Sequence, residues 1–206
     1  MERKISMRLF SVLLSNIPQI SQKQLDLGFV DPIVSMLSAC IRAAFFLSHG
    51  IRRDTTMYLL VKDGNYMIKF VGAELKYLGP DIRSIAFLLM KAQKGLEGLN
   101  KNKNILSKRG VYVHQNSASL IETLRNINVD QVILPGINGK NIEEVVRGGS
   151  VNFVVPVEYP VLDLSQLINQ EVKEVFFGEI YTIDNFIITV HNYLDSLRGN
   201  DSNGNN

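Results

Sequence analysis

Three short apolar runs in the second half of the chain decide its fold class: QVILP (131–135), VNFVVP (151–156) and EVFF (174–177). Each run is rich in β-branched or aromatic residues and lacks alternation of polar and apolar side chains. Strands of this composition are buried on both faces, as in parallel sheets. Ile142–Val146 and Leu162–Asn169 lie between the runs and can serve as crossover segments. The second half therefore predicts a parallel sheet.

The rest of the chain alternates strand-like and helix-like segments. Ile5–Leu14 predicts the first strand, and Asp31-Pro32 supplies a helix N-cap followed by a proline at the first helical position. Asp63-Gly64 predicts a hairpin turn. The other predicted elements are a helix from Pro80 to about Leu99, a strand at Val111–Val113, a helix near Ser119–Asn126 and a final helix capped by Asp184. We predict an α/β fold with a mostly parallel sheet and helices on both faces.

The composition is that of a globular protein. Hydrophobic residues make up 46% and charged residues 20%, which excludes a disordered or collagen-like chain. The single cysteine, Cys40, cannot form an intramolecular disulfide, which favours a reducing compartment. No apolar stretch reaches the ~18 residues of a membrane-spanning helix. The apolar run Leu9–Leu14 is interrupted by Ser11, which favours a strand over a signal peptide. We expect a cytoplasmic protein with no membrane partner.

Charge is distributed unevenly along the chain. Residues 1–110 carry 17 Lys and Arg against 8 Asp and Glu, a net +9, and residues 111–206 carry 5 against 12, a net −7. Solvated helix faces could explain this split. However, four cations cluster in KNKNILSKR (101–109), which we predict to be a loop, and such clusters bind RNA phosphates by counterion release. The first half therefore favours a nucleic-acid partner.

Motifs for other kinds of chemistry are weak. GINGKN (136–141) lacks the spacing and the Ser or Thr of a P-loop, so a tight turn explains it better. His49, His114 and His191 are too scattered to predict a metal site, and we expect His191 to be packed in the last helix rather than catalytic. No nucleophile-elbow motif occurs, so a hydrolase has no support.

The densest group of polar residues lies within AFFLSHGIRRDTTMYLLV (44–61). Arg52, Arg53 and Asp54 stand on a connector between a predicted helix and a predicted strand. The two arginines could grip a phosphate, and Asp54 could orient one of them or accept a proton. An exposed loop with a local Arg–Asp pair is an equally good explanation from these residues alone.

Five segments resemble the archaeal tRNA pseudouridine N1-methyltransferases: AFFLSHGIRRD (44–54), IKFVGAELK (68–76), GPDIRSIA (79–86), RGVYV (109–113) and HNYLD (191–195). The resemblance covers most of the chain. It implies an α/β fold of the SPOUT class with a C-terminal trefoil knot, a rare exception to unknotted topology, and a homodimer. It also implies methyl transfer from S-adenosylmethionine to N1 of pseudouridine 54 in the tRNA T-loop.

The resemblance also implies a domain organisation and an RNA-facing site. Residues 1–198 would form one domain, with a basic RNA-facing half (1–110), a knot and cofactor half (111–198) and a disordered tail (199–206). Asp54 and Arg52 would be catalytic, with Asp54 as the proton acceptor. The residues expected to bind RNA are Arg52, Arg53, Lys101, Lys103, Lys108 and Arg109.

The cofactor half departs from the family pattern. The residues expected to line the S-adenosylmethionine pocket are Leu134, Pro156, Phe177, Gly178, Ile180 and Phe186. Prolines stand at 135, 156 and 160, and a proline offers neither positive φ nor an N–H donor where the family has backbone approach. We therefore predict weak cofactor binding, near millimolar.

Three functions stay open at this point. The first is an active tRNA (pseudouridine-N1) methyltransferase, and the second is a SPOUT-fold RNA-binding or scaffold protein that has lost the cofactor. The third is a methyltransferase of a different RNA or base. The last helix carries apolar residues on two faces, among them Phe186, Val190 and Leu197, which predicts a homodimer with this helix near the interface.

Overall fold

A single eight-stranded sheet organises the protein, with strand order β10-β8-β9-β1-β4-β5-β7-β6. The structure is a computed structural model that describes residues 5–96, 104–116, 118–146, 148–157, 172–177 and 182–200. The five strands from β10 to β4 pair in parallel, and β5, β7 and β6 extend the sheet by antiparallel pairing. Their bounds are β1 Ile5–Leu14, β4 Thr55–Val61, β5 Tyr66–Val71, β6 Asn104–Lys108, β7 Val111–Gln115, β8 Gln131–Gly136, β9 Gly149–Pro156 and β10 Val172–Phe176. The predicted, mostly parallel α/β sheet is confirmed.

The helices begin where local caps predict them. The Asp31 carboxylate accepts a hydrogen bond from the Ile33 N–H, with Pro32 at the first helical position. Ser119 and Glu122 form a capping box, in which each side chain accepts from the other residue's backbone N–H. The helices are α1 Gln22–Asp26, α2 Pro32–Phe45, α3 Ile82–Leu96, α4 Leu120–Arg125, α5 Ile142–Val145 and α6 Ile183–Asn200; a short ribbon of β2 Phe46–Leu47 and β3 Gly50–Ile51 follows α2.

The two faces of the sheet are covered unequally. The larger core joins one face to α2, α3 and α6, through residues such as Phe10, Phe45 and Phe186. The smaller core joins the opposite face to α4, where Leu120 and Leu124 pack on Leu9 and Leu13. Helices on both faces are therefore confirmed, and the short α4 leaves part of its face uncovered.

Three predictions about local structure are wrong. Asn104–Lys108, within the predicted basic loop, forms strand β6, because pairing with β7 satisfies its backbone groups. Asp184 lies in the first turn of α6 rather than at its cap, and α6 continues to Asn200, so its last two residues fall within the predicted disordered tail. Residues 201–206 and the crossover Leu162–Asn169 lie outside the described residues, and the trefoil knot stays a prediction.

The apolar side chains of α6 are used within the chain. Phe186, Ile187, Val190 and Leu194 are completely buried, and Tyr193 and Leu197 pack against the same core. Among the described large apolar side chains of α6, only Ile188 is exposed, at 43%. The apolar stripe therefore does not by itself require a partner subunit. No helix of the described residues is long and apolar enough to cross a membrane.

We call the side of the parallel sheet where its strands begin the amino edge, and the side where they end the carboxyl edge. Strand register sets the distance between these two edges. At the amino edge, Arg8 of β1 pairs with Thr55 of β4 and Val151 of β9. Towards the carboxyl edge, Leu13 pairs with Leu60 and with Pro156. Because a strand rises about 3.3 Å per residue, these levels are about 17 Å apart.

Candidate active site at the two edges of the sheet

A buried ionic cluster occupies the amino edge. Arg8 is completely buried, and its Nε lies 3.2 Å from Asp54 Oδ2 while its Nη2 lies 2.7 Å from Asp195 Oδ1. The Asp195 carboxylate also accepts hydrogen bonds from both terminal nitrogens of Arg52, at 3.1 and 2.6 Å. His191 completes the cluster, with its Nδ1 3.1 Å from Arg8 Nη1. This amino-edge cluster ties the starts of β1 and β4 to the last turns of α6.

The geometry fixes His191 as a neutral imidazole. Arginine has donors only, so Nδ1 accepts from Arg8, and Nε2 carries the proton and donates to the Ala44 carbonyl at 3.1 Å. Burial, reinforced by Arg52 and Arg8, lowers the pKa of His191 from 6.5 to about 3. The prediction that His191 is packed rather than catalytic agrees with this environment.

Asp195 is ionised within the same cluster. Burial opposes its ionisation, but hydrogen bonds from Arg52 and Arg8 outweigh burial and hold the pKa of this carboxyl below its usual value. Two arginines therefore face two carboxylates, Asp54 and Asp195, and the charges balance. The cluster joins residues that sequence reasoning placed at a site, Arg52 and Asp54, to an intramolecular ion-pair network.

The predicted RNA-binding cations that the structure describes lie at the amino edge, and they differ in their exposure and in the groups that they contact. Arg53 donates to the Gly72 and Leu75 carbonyls, at 3.0 and 2.7 Å, which orients its guanidinium along the surface. Arg109 is exposed in the tight β6–β7 turn, where Gly110 has φ +82° and abuts the Leu75 backbone. Lys108 lies beside it, with its Nζ 5.9 Å from the ring centre of the exposed Tyr77. Lys101 and Lys103 lie outside the described residues.

The carboxyl edge is aromatic. Phe186 packs edge-on against Phe177, at 4.9 Å between ring centres, and against Phe153, at 6.1 Å. Phe186 thus joins the start of α6 to the middle of β9 and to the residue that follows β10. Gly178 and Ile180, also predicted to line the cofactor pocket, lie outside the described residues.

Leu134 does not join this aromatic group. It packs in the smaller core, beneath α4, whereas Phe177 and Phe186 belong to the larger core on the opposite face of the sheet. A place for Leu134 in the cofactor pocket stays a prediction. The sequence could not show that these residues lie on opposite faces, because side chains alternate faces along a strand and the sequence does not tell which face each strand presents.

Strands β8 and β9 separate towards the carboxyl edge, and the gap between their ends is called here the crevice. Their pairing ends at Ile133 and Phe153, and β8 continues to pair with β10 alone. Pro156 is the last residue of β9, and the next N–H, that of Val157, donates to the Leu13 carbonyl. Since alternate residues of a strand point to opposite neighbours, the position of the missing Pro156 N–H faces β8 and the crevice. The proline costs no ladder bond, but it removes one donor from the crevice.

The residues of this edge suit S-adenosylmethionine. The half-buried Phe177 offers apolar surface for an adenine ring, and the completely buried Phe186 packs against it from the core. Ligands of open α/β sheets bind in crevices at the carboxyl ends of the strands, which is where β8 and β9 part. The residues of this edge therefore fit the cofactor, although the crevice lacks one backbone donor, the N–H that is absent at Pro156. In the described part of the chain, no cluster of three or more His, Cys, Asp or Glu could hold a metal ion.

The two predicted half-sites lie on opposite edges of one chain. Asp54 and Arg52 are level with the start of β1, and Pro156 is level with Leu13, about 17 Å along the strand. Sequence reasoning missed Arg8 and gave Asp195 no role. A charged residue in the apolar strand Ile5–Leu14 was the available signal, because a buried arginine requires partners.

Comparisons with known proteins define the class and then the family. The fold is that of Nep1 from Archaeoglobus fulgidus, solved with S-adenosylhomocysteine, with a TM-score of 0.63 at 15% identity over 94% of this chain and 99% of that one. The chain thus has the α/β fold of that protein. Residues 7–198 match the family described as "Putative SAM-dependent RNA methyltransferase", and the chain belongs to that family.

Two curated relatives agree with this assignment. The tRNA (pseudouridine(54)-N(1))-methyltransferase of Methanocaldococcus jannaschii is 32% identical over 184 residues, which are 80% of this chain and 84% of the relative. The enzyme of the same name from Haloferax volcanii is 31% identical over 176 residues, 79% of this chain and 83% of the relative. The resemblance drawn from the sequence is confirmed.

Proposed function

We propose that this protein transfers a methyl group from S-adenosylmethionine to N1 of pseudouridine 54 in tRNA. The observation that carries this proposal is the separation of β8 and β9 near Phe177, in a chain whose family match spans residues 7–198. The names of its relatives supply the substrate and the base. The tRNA substrate also supports a cytoplasmic location.

In this proposal, residues of the carboxyl edge bind the cofactor and residues of the amino edge bind tRNA. At the carboxyl edge, Phe177, held in place by the buried Phe186, would exclude water around the adenine of S-adenosylmethionine, which when bound would supply a methyl group on a sulfonium centre. At the amino edge, Arg53, Lys108 and Arg109 hold tRNA phosphates. Methyl transfer would break the bond between sulfur and the methyl carbon, releasing S-adenosylhomocysteine, and form a bond from that carbon to N1, and the N1 proton would pass to a base.

Asp54 can serve as that base only in a second copy's site. Its carboxylate is paired with Arg8 and lies about 17 Å along the strand from the crevice of its own chain. We therefore propose a homodimer in which the amino edge of one protomer faces the carboxyl edge of the other. Arg52 would then position Asp54 through the amino-edge cluster.

Two assays test the reaction. Purified protein is mixed with labelled S-adenosylmethionine and a tRNA transcript containing pseudouridine 54, with a uridine-54 transcript as the control substrate. Label should enter only the pseudouridine transcript, and Phe177→Ala should reduce methyl transfer and cofactor affinity while leaving tRNA affinity unchanged. No label in either transcript, with intact cofactor binding, would contradict the proposed target.

Mixed dimers test the shared site. Asp54→Asn and Phe177→Ala protomers are each assayed alone and after mixing under conditions that exchange subunits. A shared site predicts partial recovery of activity in the mixture, because one of the two sites regains both functional residues. No recovery despite exchange, or a sedimentation mass near 23.2 kDa, would contradict the homodimer.

The missing donor at Pro156 favours a second candidate, an RNA-binding protein without cofactor. This function predicts tight tRNA binding and no heat of binding with S-adenosylmethionine at millimolar concentration. Calorimetry with tRNA and with the cofactor in parallel distinguishes the two functions.

A further inference from the structure

A cleft opens on the face of the sheet that α4 covers only in part. It has a volume of about 410 Å³ and lies between α4 and strands β4, β5 and β7. This size is within the range of about 300–1,000 Å³ found for small-ligand sites. The aromatic cluster of Phe177 and Phe186 lies on the opposite face, so the cleft is distinct from the crevice between β8 and β9.

The cleft is lined by apolar side chains and by hydrogen-bonding side chains, among which Lys69 is cationic. Asn126 and Asn128 stand exposed at its rim, and His114 and Asn116 line it from the end of β7. Tyr58 and Lys69 line the sheet side, with the Lys69 Nζ 5.5 Å from the Tyr58 ring centre. None of the described residues that line the cleft is acidic.

Two of these groups lack partners within the chain. Asn116 is only 5% exposed, yet its Nδ2 has no hydrogen-bond partner among the described residues. The His114 Nδ1 is buried and is equally without a partner in the described part of the chain. Buried polar groups are nearly always hydrogen-bonded, so two unpaired groups side by side point to a ligand that pairs with them.

The chemistry of the lining selects the class of ligand. Amides present a donor and an acceptor side by side, which matches the edge of a nucleobase, and unstacked RNA bases are recognised through such edges. The Tyr58 ring and its neighbouring Lys69 suit a flat, neutral group attached to an anionic backbone. A carboxylate or phosphate ligand alone would leave the amide acceptors unpaired.

We propose that this base cleft receives an unpaired nucleobase of the tRNA, separate from the base that is methylated. The inference rests on the proposed function for its RNA, and it adds a second point of contact that orients the substrate. A base held there is recognised by Asn116, Asn126 and Asn128, with Lys69 beside its phosphate.

The first experiment compares tRNA binding by the wild type with that of Asn126→Ala/Asn128→Ala and Asn116→Ala. Gln22→Ala is the matched control, because it removes an exposed amide on α1, away from the cleft. Removal of two base hydrogen bonds should weaken tRNA binding about five- to fiftyfold in the double variant. The slope of log Kd against log salt should not change, since the same phosphates are neutralised. The rim double variant keeps the test valid even where Asn116→Ala fails to fold.

A second experiment does not depend on the tRNA. Side-chain amide resonances of the ¹⁵N-labelled protein are followed during titration with AMP, GMP, CMP and UMP, each at millimolar concentration. Shifts of the Asn116, Asn126 and Asn128 resonances, with Gln22 unchanged, are expected for at least one nucleotide, and ribose 5-phosphate should leave them unchanged.

The outcomes separate this inference from the proposed function. Unchanged tRNA binding in both cleft variants overturns the base cleft and leaves the methyltransferase proposal intact. A wild type that binds no tRNA contradicts the proposed function, and the nucleotide titration then decides the cleft alone. A changed sedimentation mass in the rim variant, without a change in tRNA binding, assigns the cleft to a subunit contact and also overturns the inference.

Discussion

The two edges of the parallel sheet differ in how their polar groups are paired. At the amino edge, the buried Arg8 is surrounded by Asp54, Asp195 and His191, so every charge meets a partner from the same chain. At the carboxyl edge, β8 and β9 part beside aromatic rings, and Pro156 leaves the crevice short of a donor. The charges of the amino edge are paired within the chain, whereas the carboxyl edge leaves space and unused contacts for a ligand.

The difference shows why a polar cluster is weak evidence for catalysis. The sequence suggested that Arg52 and Asp54 form a phosphate-binding site, but in the fold they form ion pairs with residues that are distant along the chain. Buried charges require such partners whether or not they act on a substrate. The apolar crevice, which carries no recognisable motif, is the better place for the cofactor.

The largest expected effect breaks the amino-edge cluster. Arg8→Met removes the buried cation that contacts both Asp54 and Asp195, which should lower the free energy of unfolding by about 3 kcal/mol in urea denaturation. Arg83→Met is the matched control, because Arg83 pairs with Asp26 at an exposed position and should change stability by about 0–1 kcal/mol. Equal effects of the two substitutions would show that the cluster does not stabilise the fold.

The second effect is a pH dependence centred on the same edge. The pKa of His191 falls from 6.5 to about 3 on folding, so below pH 6.5 the unfolded state binds a proton that the folded state does not. Stability is therefore complete above pH 6.5 and falls with acidification, by about 2 kcal/mol between pH 6.5 and pH 5. Urea denaturation across this range should show a flatter profile for His191→Gln. A parallel profile in the variant would assign the acid sensitivity to other groups.

A smaller effect concerns the carboxyl edge. Pro156→Ala restores an N–H that faces the crevice, and one added hydrogen bond should tighten S-adenosylmethionine binding by about fivefold in calorimetry. Pro18→Ala, in the loop after β1, is the control and should leave the affinity unchanged. Cofactor affinity in the low micromolar range for the wild type would instead overturn the prediction of weak binding.

The smallest effect tests the exposed cations of the amino edge. Replacing Lys108 and Arg109 by glutamine should weaken tRNA binding and reduce the slope of log K against log salt by up to ~0.9 for each phosphate that is no longer neutralised. Lys62→Gln/Lys94→Gln removes the same charge elsewhere and should leave the slope unchanged. An identical slope in both double variants would mean that Lys108 and Arg109 are merely solvated.

Local chemistry in the sequence determined most elements of the fold. The Asp63-Gly64 turn predicts the β4–β5 hairpin because glycine and asparagine accept the positive φ found at Gly64 and Asn65, +85° and +49°. The Asp31 and Ser119 caps likewise act within three residues of where they stand. The family blocks, carried by contiguous residues such as IRRD at 51–54, identified the methyltransferase family for the same reason.

Tertiary structure alone decided how these elements combine into sites. Asn104–Lys108 is a strand because β7 lies beside it, and Leu134 and Phe186 are divided between two faces because the twist and pairing of the whole sheet assign them. Arg8 and His191, 183 residues apart in sequence, make one contact. Burial and pairing over such separations depend on packing, which no local pattern encodes. The sequence thus determined the elements and the family, and the fold decided which charges are satisfied and which surfaces stay open to a ligand.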